Sequence, residues 1–127
     1  MNSKYEISTK ENREFLKASC EELLNFGHRF PSPNGGSYYL GDDGTPWKDR
    51  NRETWITCRM AHVYSLGLML GHEGSEELAD AALKGLKGEL HDEKNGGWYA
   101  GVTPECICDP GCIFRTDSRK ARGERAP

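Results

Sequence analysis

The sequence lacks the features that mark secreted, membrane-spanning and nucleic-acid-binding proteins. Its first residues, MNSKYEISTKEN, are polar and contain no apolar signal-peptide core. The most apolar stretch, residues 54–70, contains Arg59 and is shorter than the roughly 20 apolar residues that a membrane-spanning helix needs. A net charge of -3 gives no electrostatic argument for binding to nucleic acid or to an anionic membrane. We therefore expect a cytoplasmic protein with no nucleic-acid or membrane partner.

Motifs for phosphate and metal binding are also missing. The sequence contains no GxGxxG pattern, no P-loop and no HExxH pattern. The four histidines fall in different predicted elements and show no ligand spacing: His28, His62, His72 and His91. A run of three cysteines, Cys106, Cys108 and Cys112, lacks the fourth ligand and the paired spacing of a structural zinc site. We therefore expect neither a metal nor a cofactor.

Three segments show helical patterns in a chain that is otherwise rich in loops. Apolar residues make up 35% of the chain, and 15 of its 127 residues are glycine, which is typical of one domain with a thin core. The patterns predict helices over about residues 8–26 and 53–70, and a third that begins at Ser75. The short joint Gly71–Gly74 implies that the second and third helices form an antiparallel pair.

Residues at the helix ends have recognisable capping patterns. Ser8 and Glu11 have the spacing of a capping box at the start of the first helix. Gly27 is expected just past the end of this helix, where glycine is common. Ser75 is expected to cap the third helix with its hydroxyl.

The region between the first two helices has two interpretations. Residues 30–46 form a glycine-rich connection that includes a possible short strand. This segment is either a simple connecting loop or a loop over a pocket, which would offer Tyr38, Tyr39 and Trp47 to a ligand. A second short extended segment is predicted over residues 98–102.

The second helix poses the main question of the sequence, because it combines apolar faces with an arginine. Trp55, Arg59 and His62 share one stripe at helical spacing, and the other stripes are also apolar or small, which predicts burial on most sides. A guanidinium that stays charged requires a partner or a polar cavity in such a place. One interpretation is a ligand pocket at Arg59. The alternative is a structural arginine in a buried ion pair or one that reaches past a helix end.

Three motifs together resemble the N-terminal part of the N-acylglucosamine 2-epimerase superfamily. They are ETWITCRM from Glu53, HVYSLG from His62, and the spaced pattern DxxxGGWY from Asp92. Their wording is most similar to the bacterial aldose–ketose isomerase branch, which acts on mannose-like sugars and on sulfoquinovose. The resemblance covers about residues 8–103.

The resemblance implies an all-α fold, namely part of an (α/α)6 barrel with about three helices joined by glycine-rich aromatic loops or short hairpins. It also implies a small sugar as substrate, with Arg59 bound to substrate oxygens, Trp55 as a wall of the sugar site and His62 as a pocket-lining or hydrogen-bonding residue. In the family, a histidine pair on later helices transfers a proton between sugar carbons. The resemblance therefore implies that this chain contains no catalytic residue.

The C-terminal residues depart from the family pattern. After residue 103 the similarity to the family motifs ends, and a polar segment that contains three cysteines follows. We predict a family domain over residues 1–103 and a non-family, disordered tail over residues 104–127, which arises from a frameshift or a truncated reading frame. An arc of three barrel helices leaves apolar flanks without neighbours, so we also expect the fragment to self-associate.

Three functional hypotheses follow. The first is an N-terminal fragment of a sugar isomerase or 2-epimerase that is inactive alone. The second is a non-catalytic helical module that binds a carbohydrate or a protein through its aromatic loop. The third is a small cysteine-dependent metal-binding protein, which a zinc analysis separates from the other two.

Overall fold

Three α-helices and five two-residue strands make up the part of the chain that the computed structural model describes, residues 2–103 and 115–116. The helices are α1 (Lys10–Phe26), α2 (Thr54–Met69) and α3 (Ser75–Lys87), with 3-10 turns at Ser3–Tyr5 and Gly27–Arg29. The strands are β1 (Tyr39–Leu40), β2 (Pro46–Trp47), β3 (Arg52–Glu53), β4 (Gly101–Val102) and β5 (Arg115–Thr116). The helix-rich prediction is confirmed.

The strands form two small antiparallel sheets. β1 pairs with β2 as a hairpin, with Tyr39 opposite Trp47. β4 lies between β3 and β5, and Arg52 is opposite Val102 in the first pair. The predicted tail over residues 104–127 lies outside the described residues, apart from the two residues of β5.

Both predicted capping interactions at helix starts are wrong. Thr9, rather than Ser8, caps α1, because its hydroxyl oxygen accepts a hydrogen bond of 3.1 Å from the backbone N–H of Asn12. Gly74 precedes α3 at a φ of +81°, which places Ser75 inside the helix. Ser75 is buried there, and its hydroxyl has no hydrogen-bond partner among the described residues. The left-handed backbone conformation at Gly74, which glycine adopts more easily than other residues, therefore sets where α3 begins.

Gly27 ends α1 as predicted, but for a different physical reason. Its φ of -77° is right-handed, so no left-handed conformation requires glycine. Instead, a Cβ atom at this position would lie 2.3 Å from the hydroxyl oxygen of Tyr64. The small residue allows α1 to approach α2 closely.

The core lies where α2 and α3 pack together and α1 meets them. Its buried members are Leu24, Phe30, Ala61, Tyr64, Ala79 and Ala82. The ring of Tyr64 stacks on Phe30 with 5.4 Å between centroids, and its hydroxyl donates to the carbonyl oxygen of Leu24 at 2.6 Å. A buried phenol that satisfies its hydroxyl in this way contributes apolar area without leaving a polar group unpaired.

A buried arginine in β3 connects this strand to the glycine-rich loop before β1 and to the segment that follows α3. Arg52 is 1% exposed, and it donates to the carbonyl oxygen of Gly35 at 2.6 Å and to the carboxylate of Glu89 at 2.5 Å. The glycine loop also packs on α3, where a Cβ on Gly85 would lie 2.2 Å from the backbone nitrogen of Gly36. The loop is therefore fixed to α3 by close backbone packing and by the ion pair.

The prediction that α2 is buried on most sides is wrong for the described residues. Its buried residues form one stripe, Thr57, Ala61, Tyr64 and Gly67, which faces its neighbours. The opposite side is exposed, because α1 and α3 are the only helices that pack against α2 in the described part. None of the described helices is long and apolar enough to cross a membrane.

The exposed apolar surface supports the prediction that the chain self-associates. Leu23, Met69 and Leu70 are 71%, 81% and 69% exposed, respectively. Clustered apolar side chains of this kind favour association, since contact removes them from water. We expect size-exclusion chromatography with light scattering to show dimers or larger species. A monodisperse monomer across micromolar concentrations would contradict this prediction.

The buried ion pair predicts a large effect of one substitution. Glu89→Gln removes the charge that compensates Arg52, so we expect the free energy of unfolding to fall by about 3 kcal/mol, as when one partner of a buried pair is removed. The matched control is Glu14→Gln, because the Glu14 carboxylate pairs with Lys10 at 3.7 Å on an exposed helix surface. The control should change stability very little. Urea denaturation followed by circular dichroism measures both, and equal effects would contradict the prediction.

Candidate functional site

A cavity of about 370 Å³ lies between α1, β1 and α2. Apolar side chains of α1 and α2 form most of its wall, among them Leu23, Phe26, Met60 and Val63. Five of the lining residues carry polar side-chain atoms: Tyr38, Tyr39, Trp55, Arg59 and Tyr64. A mostly apolar cleft with a few converging polar groups is typical of a small-molecule site.

Hydrogen bonds to one carboxylate fix the aromatic edge of the cavity. The carboxylate of Glu53 accepts a hydrogen bond from the Tyr39 hydroxyl at 2.7 Å and one from Trp55 Nε1 at 2.5 Å. Trp55 Nε1 also lies 3.1 Å from the Tyr39 hydroxyl oxygen, and the two rings are 6.1 Å apart between centroids. The polar ends of both rings are thereby held in place, and their faces remain available to a ligand.

Arg59 lies at the open side of this aromatic edge. Its guanidinium carbon is 5.2 Å from the centroid of the Trp55 ring, which is within cation–π range. The side chain is exposed, and it forms no ion pair within residues 2–103. The buried-ion-pair alternative for Arg59 is therefore wrong. Among the described residues the buried arginine is Arg52, and the sequence does not indicate this burial because a single arginine before a helix gives no burial signal.

The structure brings only some of the predicted site residues together. Tyr38 and Tyr39 line the cavity with Trp55 and Arg59, as the pocket interpretation of the loop expects. Trp47 does not line it, and its ring lies instead under the guanidinium of Arg50, 4.4 Å away. His62 is exposed and is also absent from the cavity lining.

Two of the phenols that line the cavity, those of Tyr39 and Tyr64, are held in their neutral form. Burial, followed by the hydrogen bond to Glu53 and its negative charge, raises the pKa of Tyr39. Burial alone raises the pKa of Tyr64 to about 12. The neutral hydroxyl of Tyr39 therefore donates a hydrogen bond to Glu53 throughout the neutral range, and it does not serve as a base.

A second polar cluster joins α1 to the joint between α2 and α3. Nε2 of His28 lies 2.9 Å from Nε2 of His72, and Nδ1 of His72 lies 2.9 Å from the carboxylate of Glu21. The sequence patterns place His28 and His72 in separate predicted elements. Their spacing along the chain, 44 residues, gives no signal that would have paired them.

The chemistry of the cavity is that of binding. An indole face offers a surface on which a sugar ring stacks, and a guanidinium offers several N–H donors to hydroxyl or carbonyl oxygens. No histidine or carboxylate lines the cavity within residues 2–103. The described residues therefore supply positioning groups to this cavity without an acid–base pair.

Comparison with known proteins gives a consistent result. The family model of N-acylglucosamine 2-epimerase (GlcNAc 2-epimerase) matches residues 35–112, a range that contains β1, α2 and most of the cavity lining. D-mannose isomerase of Thermobifida fusca is 34% identical over 91 residues, which are 72% of this chain and 22% of that protein. D-mannose isomerase of Pseudomonas cannabina pv. alisalensis is 29% identical over 94 residues, or 74% of this chain and 22% of that protein.

A solved structure is also similar. Cellobiose 2-epimerase from Bacillus thermoamylovorans aligns with a TM-score of 0.60 and 26% sequence identity, over 72% of this chain and 25% of that one. The chain thus spans about a quarter or less of the relatives it matches.

The hydrogen bonds of Glu53 generate a prediction for the Tyr39 phenol. Because the pKa of Tyr39 is raised, its contribution to stability is complete below the pKa of the unfolded chain and is lost as pH rises through the folded pKa. Glu53→Gln removes the negative charge, so we expect the pKa of Tyr39 to fall toward its usual value near 10. Carbon-13 NMR of the tyrosine Cζ atoms measures this shift. Glu22→Gln, on the exposed surface of α1, is the control, and an equal response in both variants would contradict the prediction.

Proposed function

The chain belongs to the N-acylglucosamine 2-epimerase family, and from this membership we propose that it is the N-terminal part of an (α/α)6-barrel enzyme that interconverts aldose and ketose forms of a mannose-like sugar. The observation that carries the proposal is the cavity at α2, where Trp55 and Arg59 lie side by side at an aromatic edge. The names of two relatives, both D-mannose isomerase, favour a mannose-like substrate.

Each polar group at the cavity has a role in this proposal. Arg59 donates hydrogen bonds to hydroxyl or carbonyl oxygens of the sugar, and its cation–π contact with Trp55 limits the directions in which the guanidinium points. Trp55 packs against the sugar ring, with its Nε1 held by Glu53. His62 lies one turn beyond Arg59 on the exposed side of α2, where it is a hydrogen-bond partner for a ligand that extends past the cavity.

The isolated chain binds in this proposal but does not catalyse. Isomerisation moves a proton between neighbouring sugar carbons, and this step requires a general base and a general acid within hydrogen-bond reach. The relatives are four to five times longer than the matched region, and the acid–base pair belongs to the part of the barrel that follows. Positioning by Arg59 alone does not replace proton transfer.

Sugar binding by the isolated chain tests the proposal. We expect saturation-transfer NMR to detect contact between D-mannose and the chain, and Arg59→Lys to weaken binding by about tenfold, since lysine keeps the charge but loses the planar fork. Arg50→Lys is the matched control, because Arg50 also lies over a tryptophan but outside the cavity. A parallel assay for fructose should show no turnover.

Three outcomes would contradict parts of this proposal. Equal losses of mannose affinity in Arg59→Lys and Arg50→Lys would show that Arg59 does not contact the sugar. Binding of other carbohydrates or of a protein at the loop, without mannose binding at the cavity, would favour the non-catalytic module. Fructose formation that Arg59→Ala abolishes would mean that the chain contains its own acid–base pair.

A further inference from the structure

The cleft between the end of α1 and the α2–α3 joint holds two histidines in an unusual arrangement. His28 comes from the 3-10 turn after α1, and His72 lies in the joint that follows α2. Their Nε2 atoms face each other at 2.9 Å, and their rings are nearly perpendicular at 80°. His72 is buried, whereas His28 is exposed and opens the pair to solvent. Two chelating atoms of the same kind therefore converge at the surface of a cleft.

The distance between the two nitrogens is close to the span that a metal ion requires. Two imidazole nitrogens bound to zinc at about 2.0–2.1 Å in tetrahedral geometry lie roughly 3.4 Å apart. A separation of 2.9 Å therefore needs to widen by only about half an ångström to admit the ion. His28 is exposed, so a change in its side-chain rotamer is the movement that this proposal requires.

The surroundings of His72 match those of a metal-binding histidine. Metal-bound histidines commonly donate their other ring N–H to a carboxylate, which fixes the tautomer and leaves the free nitrogen to the metal. Nδ1 of His72 lies 2.9 Å from the carboxylate of Glu21. Nε2 of His72 is therefore the nitrogen that remains to bind an ion between the two histidines. Glu21 therefore prepares His72 to present a lone pair toward His28.

The cleft has room for the remaining ligands of an ion. Its volume is about 520 Å³, and its lining includes Glu73, Asn25 and the glycines of the joint, together with the two histidines. No set of three or more potential ligand side chains is clustered tightly within residues 2–103. Water molecules, or the exposed Glu73 after rotation of its side chain, would complete the coordination.

From this geometry we propose that His28 and His72 form a two-histidine binding site for a divalent transition-metal ion such as Zn²⁺, with Glu21 as the carboxylate that orients His72. Imidazole nitrogens favour zinc, copper and nickel over magnesium and calcium, which prefer oxygen ligands. The ion would connect the end of α1 to the α2–α3 joint across 44 residues of sequence. The site is separate from the cavity at Arg59 and does not depend on the proposed enzymatic function.

Zinc affinity of the full chain tests the proposal. Because thiolates also bind zinc, every protein compared carries alanine in place of the partly buried Cys20 and serine in place of Cys58, Cys106, Cys108 and Cys112. Titration of Zn²⁺ against a chromophoric chelator should show one bound equivalent in this reference protein. His28→Gln should weaken binding by at least tenfold, and Glu21→Gln by about tenfold, the scale on which outer carboxylates act. His91→Gln is the matched control and should bind as the reference does.

A second measurement again varies the exposed His28 rather than the buried His72, so that a loss of folding does not obscure the result. Ligands that bind only the folded state raise the temperature of unfolding. Zinc should raise this temperature for the reference protein and for His91→Gln, and the rise should be absent in His28→Gln, whose side chain is exposed. The proposal is overturned if the reference binds no zinc, or if His28→Gln binds zinc as tightly as His91→Gln. Either result would mean that the two histidines share only a hydrogen bond.

Discussion

A buried guanidinium is the constraint on which the arrangement of loop, sheet and helix depends. Removing Arg52 from water is costly, and its two terminal nitrogens partly offset this cost by donating to the carbonyl of Gly35 and the carboxylate of Glu89. Through these bonds the glycine loop, β3 and the segment after α3 are held at one point. The neighbouring hydrogen bond from Ser37 to Thr57 then ties the same loop to α2.

The position of this loop decides the shape of the candidate sugar site. Once residues 35–37 are fixed, Tyr38 and Tyr39 follow directly and lie over the exposed side of α2. Glu53 directly precedes α2, next to the buried Arg52, and its carboxylate accepts the hydrogen bonds of Tyr39 and Trp55. A structural ion pair and a binding surface are thus built from adjacent residues, one directed inward and the other toward the cavity.

The exposed side of α2 explains both the open cavity and the uncovered apolar surface. On this side no described helix covers α2, so Arg59, Leu66 and Met69 are exposed. Since the chain covers 22% of the mannose isomerases that it matches, an incomplete set of packing partners is consistent with its family. The accessibility of Arg59 and the uncovered apolar surface therefore have one origin in the described chain.

The sequence by itself determined the three helices, the glycine-rich aromatic loop and the family, because these depend on local periodicity and on short motifs such as ETWITCRM. It also placed Trp55 and Arg59 on one stripe, since helical spacing is a local property. Only the tertiary structure decided that Arg52 is buried, that Arg59 is exposed, and that His28 meets His72. These outcomes depend on which segments, distant in sequence, pack together, and an ionisable residue gives no local signal of the partner that it will find.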